Sequence, residues 1–247
     1  DTGLKQTTEV NWTNKFLNVE ELAAIVPVPE SVVEDMEFDI WGEVRPLLEE
    51  AIGIAVDAAV FFGVNKPASW PTDVVASAIA AGNTYNRGTT TVANGGISED
   101  INQALALLEA DGFDATGAVA IRSMRGRLRG ARDTTGQRML DVTPEEVYGL
   151  RIAYPMRGVW PTGTGAAEAI FGDFNEGIFG VRRDYTWKVL DQAVIQDNTG
   201  TIIYNLAQQD MVALRVTARY AWQVANVINR DQPTEANRSP FVVLRAP

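Results

Sequence analysis

The sequence predicts a fold that mixes helices and strands. Three observations carry that expectation: one long stretch of helical periodicity, several short β-rich runs set off by Gly, Pro and Asn, and enough apolar residues for a sizeable core. Of 247 residues, 46% belong to the hydrophobic set and 21% are charged. That balance fits a globular chain of one large domain or two modest ones, and it excludes disordered, collagenous and disulfide-stapled classes.

Residues 1–18 are polar, with Val10, Trp12 and Phe16 loosely spaced, which suits an extended arm. The apolar run 19–25 leads into Pro27-Val28-Pro29 and predicts a short strand. Ser31 and Glu34 then stand at capping-box spacing for a helical turn. From residue 38 to 62, Trp41, Val44, Leu48, Ile52, Ala55, Ala59 and Phe62 recur at steps of three and four, predicting the longest helix. Pro46 either kinks that helix or marks its true first turn, and Gly63 ends it.

Residues 64–96 read as a linker around an apolar island at 74–81. Ser98 is placed to cap a helix whose face carries Ile101, Ala104, Leu105 and Leu108, with Gly112 as terminator. A buried strand at 119–121 and an Arg-rich helix at 123–132 follow. Thr143-Pro144-Glu145-Glu146 has the order of a helix start, predicting a brief turn before a strand at 150–154. Runs 185–195 and 201–206 flank Gln196-Asp197-Asn198-Thr199-Gly200 as a hairpin. Met211, Leu214, Val216, Tyr220 and Val224 lie at broadly helical intervals within 207–227, and 241–244 closes as a strand. The aromatic residues Trp160, Phe171, Phe174, Phe179, Tyr185 and Trp187 are assigned to packing.

The chain contains no Cys and no His. This removes Cys/His zinc sites, Ser-His-Asp and Cys-His nucleophile systems, and imidazole general bases. Net charge is -11, from 21 basic against 32 acidic residues, so a broad footprint for nucleic acid is not expected. The basic residues are uneven: Arg122, Arg125, Arg127, Arg129, Arg132 and Arg138 crowd one stretch. Arginine in such density, without lysine, favours an intersubunit or anion contact over a merely solvated helix face. No window approaches the roughly 18 consecutive apolar residues of a membrane helix. The start at Asp1 rather than Met reads as a processed or truncated product.

Gly163-Thr164-Gly165 is the nearest approach to a dinucleotide fingerprint, but Glu168 stands at the third glycine position and a proline precedes it. The pairs Glu49-Glu50 and Glu145-Glu146 would have to supply the carboxylates of a hydrolase. Neighbouring residues on a helix point about 100° apart, so they do not face one substrate.

The order of elements resembles the major capsid proteins of tailed bacteriophages, with the Hong Kong 97 fold. The stretches that carry the resemblance are 22–35, the long helix ending in Phe61-Phe62-Gly63, the turn 128–138, Tyr148-Gly149-Leu150-Arg151-Ile152, Phe171-Gly172-Asp173-Phe174 and Pro240-Phe241-Val242-Val243-Leu244. The resemblance implies a Hong Kong 97-type α+β subunit with an arm remnant at 1–18, a peripheral domain at 19–73 built on a spine helix, an inserted axial domain at 74–183, and a second peripheral part at 184–247. It implies self-association into pentamers and hexamers around packaged double-stranded DNA held without sequence-specific contacts. A scaffold, a maturation protease and a portal are further partners it suggests. The implied location is the virion capsid, with assembly in the host cytoplasm. No catalytic residue, metal, cofactor or membrane is implied.

Candidate interface residues are Arg122, Arg125, Arg127, Arg129, Arg132, Lys5, Trp12, Asp197, Asn198 and Gly200. Some relatives weld their shells by a Lys–Asn bond promoted by a Glu. Here the corresponding segment begins at Asn205, and Val216 falls near the Glu position, so a non-covalent shell is expected despite Lys5 in the arm. Two other readings stand beside this one: an encapsulin-like compartment, separable by its cargo and nucleic acid content, and a carboxylate-dependent hydrolase with a pocket holding a raised-pKa acid.

Overall fold

The computed structural model describes residues 14–37, 39–137, 143–155 and 158–247. Lys5, Trp12 and Arg138 lie outside the described residues. The first strand, β1 (Val19–Pro29), alternates Leu22, Ala24 and Val26 toward the core with Glu21, Ala23 and Ile25 outward. It passes into α1 (Glu30–Asp35), whose N-cap is Pro29 with no side-chain cap. Ser31 is therefore an internal helix residue and not the cap expected. The start of α1 is set instead by the Glu30 amide, which donates to the Asp210 carbonyl at 2.9 Å.

The longest helix, α2 (Ile40–Phe62), starts where the Asp39 carboxylate accepts the Trp41 amide and stops at a left-handed Gly63. It runs through Pro46 and does not begin there. The supposed linker holds α3 (Val74–Ala81), whose N-cap Asp73 accepts from the Ala76 amide at 2.9 Å. β2 (Thr84–Asn86) follows. α4 (Gly96–Ala110) then begins two residues before the expected cap. Ser98 Oγ instead meets Tyr148 Oη at 2.5 Å.

β3 (Gly117–Ala120) and α5 (Met124–Arg129) come next, α5 being shorter than its Arg-rich sequence suggested. The expected helical turn at 143–146 is absent. β4 (Glu146–Val147) and β5 (Leu150–Ala153) form a hairpin there, because Tyr148 and Gly149 both take the positive φ of a two-residue turn. β6 (Ala167–Gly172) is buried at every residue.

β7 (Gly177–Leu190) is a long strand of its own, and the predicted hairpin proper is β8 (Val194–Gln196) with β9 (Ile202–Asn205). β10 (Met211–Val224) corrects the helix expected at 207–227. Its core contacts are Leu214, Val216, Ala218, Tyr220 and Trp222, a strict period of two that a three- or four-step reading obscures. β11 (Phe241–Arg245) ends the fold.

The strands form a three-stranded antiparallel sheet ordered β1-β10-β7, a six-stranded mixed sheet ordered β2-β11-β6-β3-β5-β4, and the β8-β9 hairpin. One core joins α2, through Leu48, Ile52, Ala59 and Val60, to the inner face of the first sheet, and includes Phe241 and Val243 of β11. Leu214 and Val216 are fully buried there, each contributing on the order of 2 kcal/mol of burial. The other core packs α4 and α5 on the larger sheet through Leu108, Leu128, Phe171 and Leu244. Residues 184–247 thus contribute to both sheets. The mixed helix-and-sheet fold expected from the sequence is the one observed.

Candidate assembly surfaces

The Arg-rich stretch divides into two groups. Arg127 lies 2.6 Å from Glu168 Oε1, an ion pair without the alignment of a hydrogen bond, and Arg87 donates to Glu168 Oε2 at 2.5 Å. Glu168 is almost fully buried at the start of β6, so this trio ties α5 and the β2 turn to the larger sheet. Arg125 lies over the Tyr154 ring, 4.4 Å from its centroid. These two arginines are engaged within the subunit. Arg122, Arg129 and Arg132 are exposed and form no ion pair among the described residues.

Asp197 and Gly200 form the tip of the β8-β9 hairpin, and Asn198 sits exposed between them. Asp197 Oδ1 accepts from Thr199 N at 2.8 Å, Thr199 Oγ1 at 2.7 Å and Thr201 N at 2.9 Å, while Gly200 takes a φ of +84°. The Thr199 hydroxyl first, then the Thr201 and Thr199 amides, hold the Asp197 carboxyl below its usual range. The hairpin itself is apolar on its surface: Val194, Ile202 and Ile203 are each about half exposed. Val189, near the end of β7, is half exposed as well. Among the described residues, the predicted candidates exposed without an ion pair or a ring contact are the hairpin tip and Arg122, Arg129 and Arg132.

The sequence did not point to two grooves. One, of about 280 Å³, lies between β1, α2 and the 64–70 turn, with Leu22, Val56, Ala59 and Trp70 in its wall. The other, of about 330 Å³, lies between α2 and β7 and holds two carboxylates, Asp57 and Asp184, among Ile52, Val56, Phe179 and Val181. Burial raises the Asp57 carboxyl. The pairs proposed from sequence are not there: Glu49 and Glu50 are exposed on α2, Glu145 precedes β4 and Glu146 opens it. Asn205 closes β9, where its side-chain amide donates to Gln208 Oε1 at 2.9 Å, and Val216 is wholly buried.

A long helix laid on a three-stranded sheet, a second mixed sheet and a projecting hairpin are the architecture of a viral shell subunit. The chain belongs to the phage capsid family, which it matches over residues 2–227. The major capsid protein of Staphylococcus phage 80alpha is 26% identical over 226 residues, covering 90% of this chain and 65% of that protein. The chain therefore spans about two thirds of the length of that curated relative. A solved structure from Microbacterium phage Oxtober96 is 40% identical with a TM-score of 0.85, covering 100% of this chain and 78% of that one. One from Mycobacterium phage Adephagia is 31% identical with a TM-score of 0.83, covering 98% and 76%. The fold is the Hong Kong 97-type capsid fold that the sequence order resembles.

Proposed function

We propose that the chain is the structural subunit of a bacteriophage capsid, self-assembling into pentamers and hexamers that enclose double-stranded DNA. The observation that carries this reading is the β8-β9 hairpin: an apolar two-stranded ribbon with a self-ordered tip, held away from both cores. Such a ribbon has little to gain in an isolated subunit and much to gain against a neighbour. In this reading α2 with most of the three-stranded sheet is the peripheral part, spanning 19–73 and 184–247, and β7 crosses into it from residue 177. The region 74–183 is the axial part, and β11 fastens the two.

In this reading the role is mechanical and not catalytic, which is what membership of the phage capsid family supports. In this reading the shell is held without covalent links, since Val216 stands near the position where cross-linking relatives carry their Glu. Scaffold, protease and portal act on the assembling shell in the host cytoplasm, and the finished location is the virion.

Negative-stain electron microscopy of the full-length protein tests the reading. Closed, uniform polyhedral shells are expected. Dispersed monomers alone, with and without a co-expressed scaffold, would overturn it. Shells that carry a protein cargo and no DNA would assign an encapsulin-like compartment instead.

A further inference from the structure

The outward face of the three-stranded sheet carries an arrangement that an isolated subunit does not favour. β10 pairs with β7 so that Arg215 stands opposite Lys188 and Arg219 opposite Arg183. Directly paired residues project from the same face, and like charges so placed repel. Both pairs lie opposite the face that Leu214, Val216, Ala218 and Tyr220 bury on α2. The two pairs stand about 14 Å apart along the strand. Thr217 and Thr186 lie between them.

None of the four cations forms an ion pair among the described residues. Arg219 Nε is buried from solvent and has no hydrogen-bond partner among the described residues. Glu21 is registered across β10 from Arg219 but does not reach it. A chain with net charge -11 has thus gathered four cations in two like-charge pairs and left a donor orphaned. Departures from local electrostatic preference of this kind mark surfaces completed by something else.

The same chain holds the complement. Between Lys15 and Arg45 there are eight carboxylates and no basic residue. Glu30, Glu34, Asp35, Glu37 and Asp39 are all exposed around α1. Glu34 and Asp35 sit in the last turn of α1, the end where a helix dipole disfavours negative charge. Neither forms an ion pair among the described residues.

We propose that the basic face formed by Arg183, Lys188, Arg215 and Arg219 docks the acidic α1 segment of a second copy of this chain. The contact is head-to-tail: one copy's acidic end meets the next copy's sheet, which is the type of interface that closes into rings. Desolvation against carboxylates removes the repulsion within each cationic pair. This deepens the capsid reading and rests on it, by naming two surfaces through which copies recognise each other.

The test is a charge-swap series in the full-length protein. Lys188→Glu with Arg215→Glu is expected to cut particle yield, followed by sedimentation velocity and electron microscopy, by at least about tenfold. The melting temperature should stay close to that of the unmodified protein, because a Glu–Glu pair takes the place of the Lys188–Arg215 pair and the Arg183–Arg219 pair is untouched. Adding Glu34→Lys and Asp35→Lys to the same chain is expected to restore particles. Unchanged particle yield in the first variant, or a loss the second pair does not repair, would overturn the proposal. Particles of normal yield that bind duplex DNA more weakly would also overturn it, assigning the face to nucleic acid. Unmodified protein assembled in parallel keeps the capsid reading and this contact separately testable.

Discussion

Asp197 Oδ1 accepts a 2.7 Å hydrogen bond from Thr199 Oγ1, and Asp133 Oδ1 accepts one of the same length from Thr135 Oγ1. The likeness extends to the backbone. Asp133 also accepts from the Thr135 and Gln137 amides, as Asp197 does from those of Thr199 and Thr201. Gly136 and Gly200 have φ of +82° and +84°. One four-residue device, Asp-x-Thr-Gly, therefore fixes two surface loops without help from either core. Loops ordered beforehand lose little freedom when a neighbour arrives, which favours association.

This device is pH-sensitive in a defined direction. Hydrogen bonds from Thr199 and Thr201 lower the Asp197 carboxyl, so the loop is stabilised while the group is ionised. That contribution is fully present above the ordinary carboxylate pKa of 3.8 and is lost as pH falls through the lowered value. Amide shifts of Thr199 and Thr201 should hold constant from neutral pH to about 4 and move only below it. An Asp197→Asn variant should show no such titration. The same titration in that variant would remove the carboxylate from the account.

Gly200→Val tests the loop by another route. A Cβ at this position meets nothing within 4 Å, so the cost is backbone strain alone, about 1–2 kcal/mol for a β-branched residue held at positive φ. Chemical denaturation should show that loss or less. Assembly yield should fall further, because the tip is the exposed end of the hairpin.

Which features were legible in the sequence follows from how local their causes are. α2 was, since its apolar positions, the Asp39 cap and the Gly63 stop all lie within the segment. α3 left the same signals, Asp73 before it and Gly82 after it, but eight residues beside Pro71 passed for a linker. β10 was misread because Met211 and Val224 extend an apparent helical spacing, while the even-numbered residues 214 to 222 carry the true alternation. Arg215 and Arg219 consequently stand about 14 Å apart on one sheet face. Glu168 was seen only as a flaw in a glycine motif. Its partner Arg87 lies 81 residues away, and no spacing rule reaches that far. The basic sheet face depends on register, which only the pairing of β7 with β10 supplies.

Glu168→Gln should be among the costlier polar substitutions. It leaves Arg87 and Arg127 converging on a buried site with no counter-charge. Breaking a buried ionic group by removing one partner costs on the order of 3 kcal/mol. Because the arginine side chains are 23% and 34% exposed, water relieves part of this, and about 2 kcal/mol is expected by urea denaturation. A second substitution, Arg127→Gln, should recover some of the loss. Strict additivity of the two would show that the groups do not interact.

Asp57 offers the opposite sign. Burial raises its carboxyl, so ionisation opposes folding. Stability is greatest below the unfolded pKa and declines as pH rises through that value to the raised one. At neutral pH Asp57→Asn should therefore raise the melting temperature slightly, and the gain should vanish near pH 3. A melting temperature lowered at pH 7 would instead mean that the ionised group holds a partner.

Gly172 is where the two cores meet, and it tolerates no side chain. On β6 it pairs with Phe241 of β11 and with Gly117 of β3. A Cβ would come within 2.5 Å of both Phe241 Cδ1 and the Pro240 carbonyl oxygen. The Pro240 carbonyl cannot retreat without loss, because it accepts the Asp173 amide at 2.9 Å. Phe241 is locked by its edge-on contact with Phe174, ring centroids 5.5 Å apart. Gly172→Ala must therefore shift β11 from β6, where it anchors both cores. A loss of about 3 kcal/mol or more is expected, read as a lower urea midpoint at unchanged slope. A midpoint within experimental error of the unmodified protein would mean that β11 slides freely and does not fasten the two sheets.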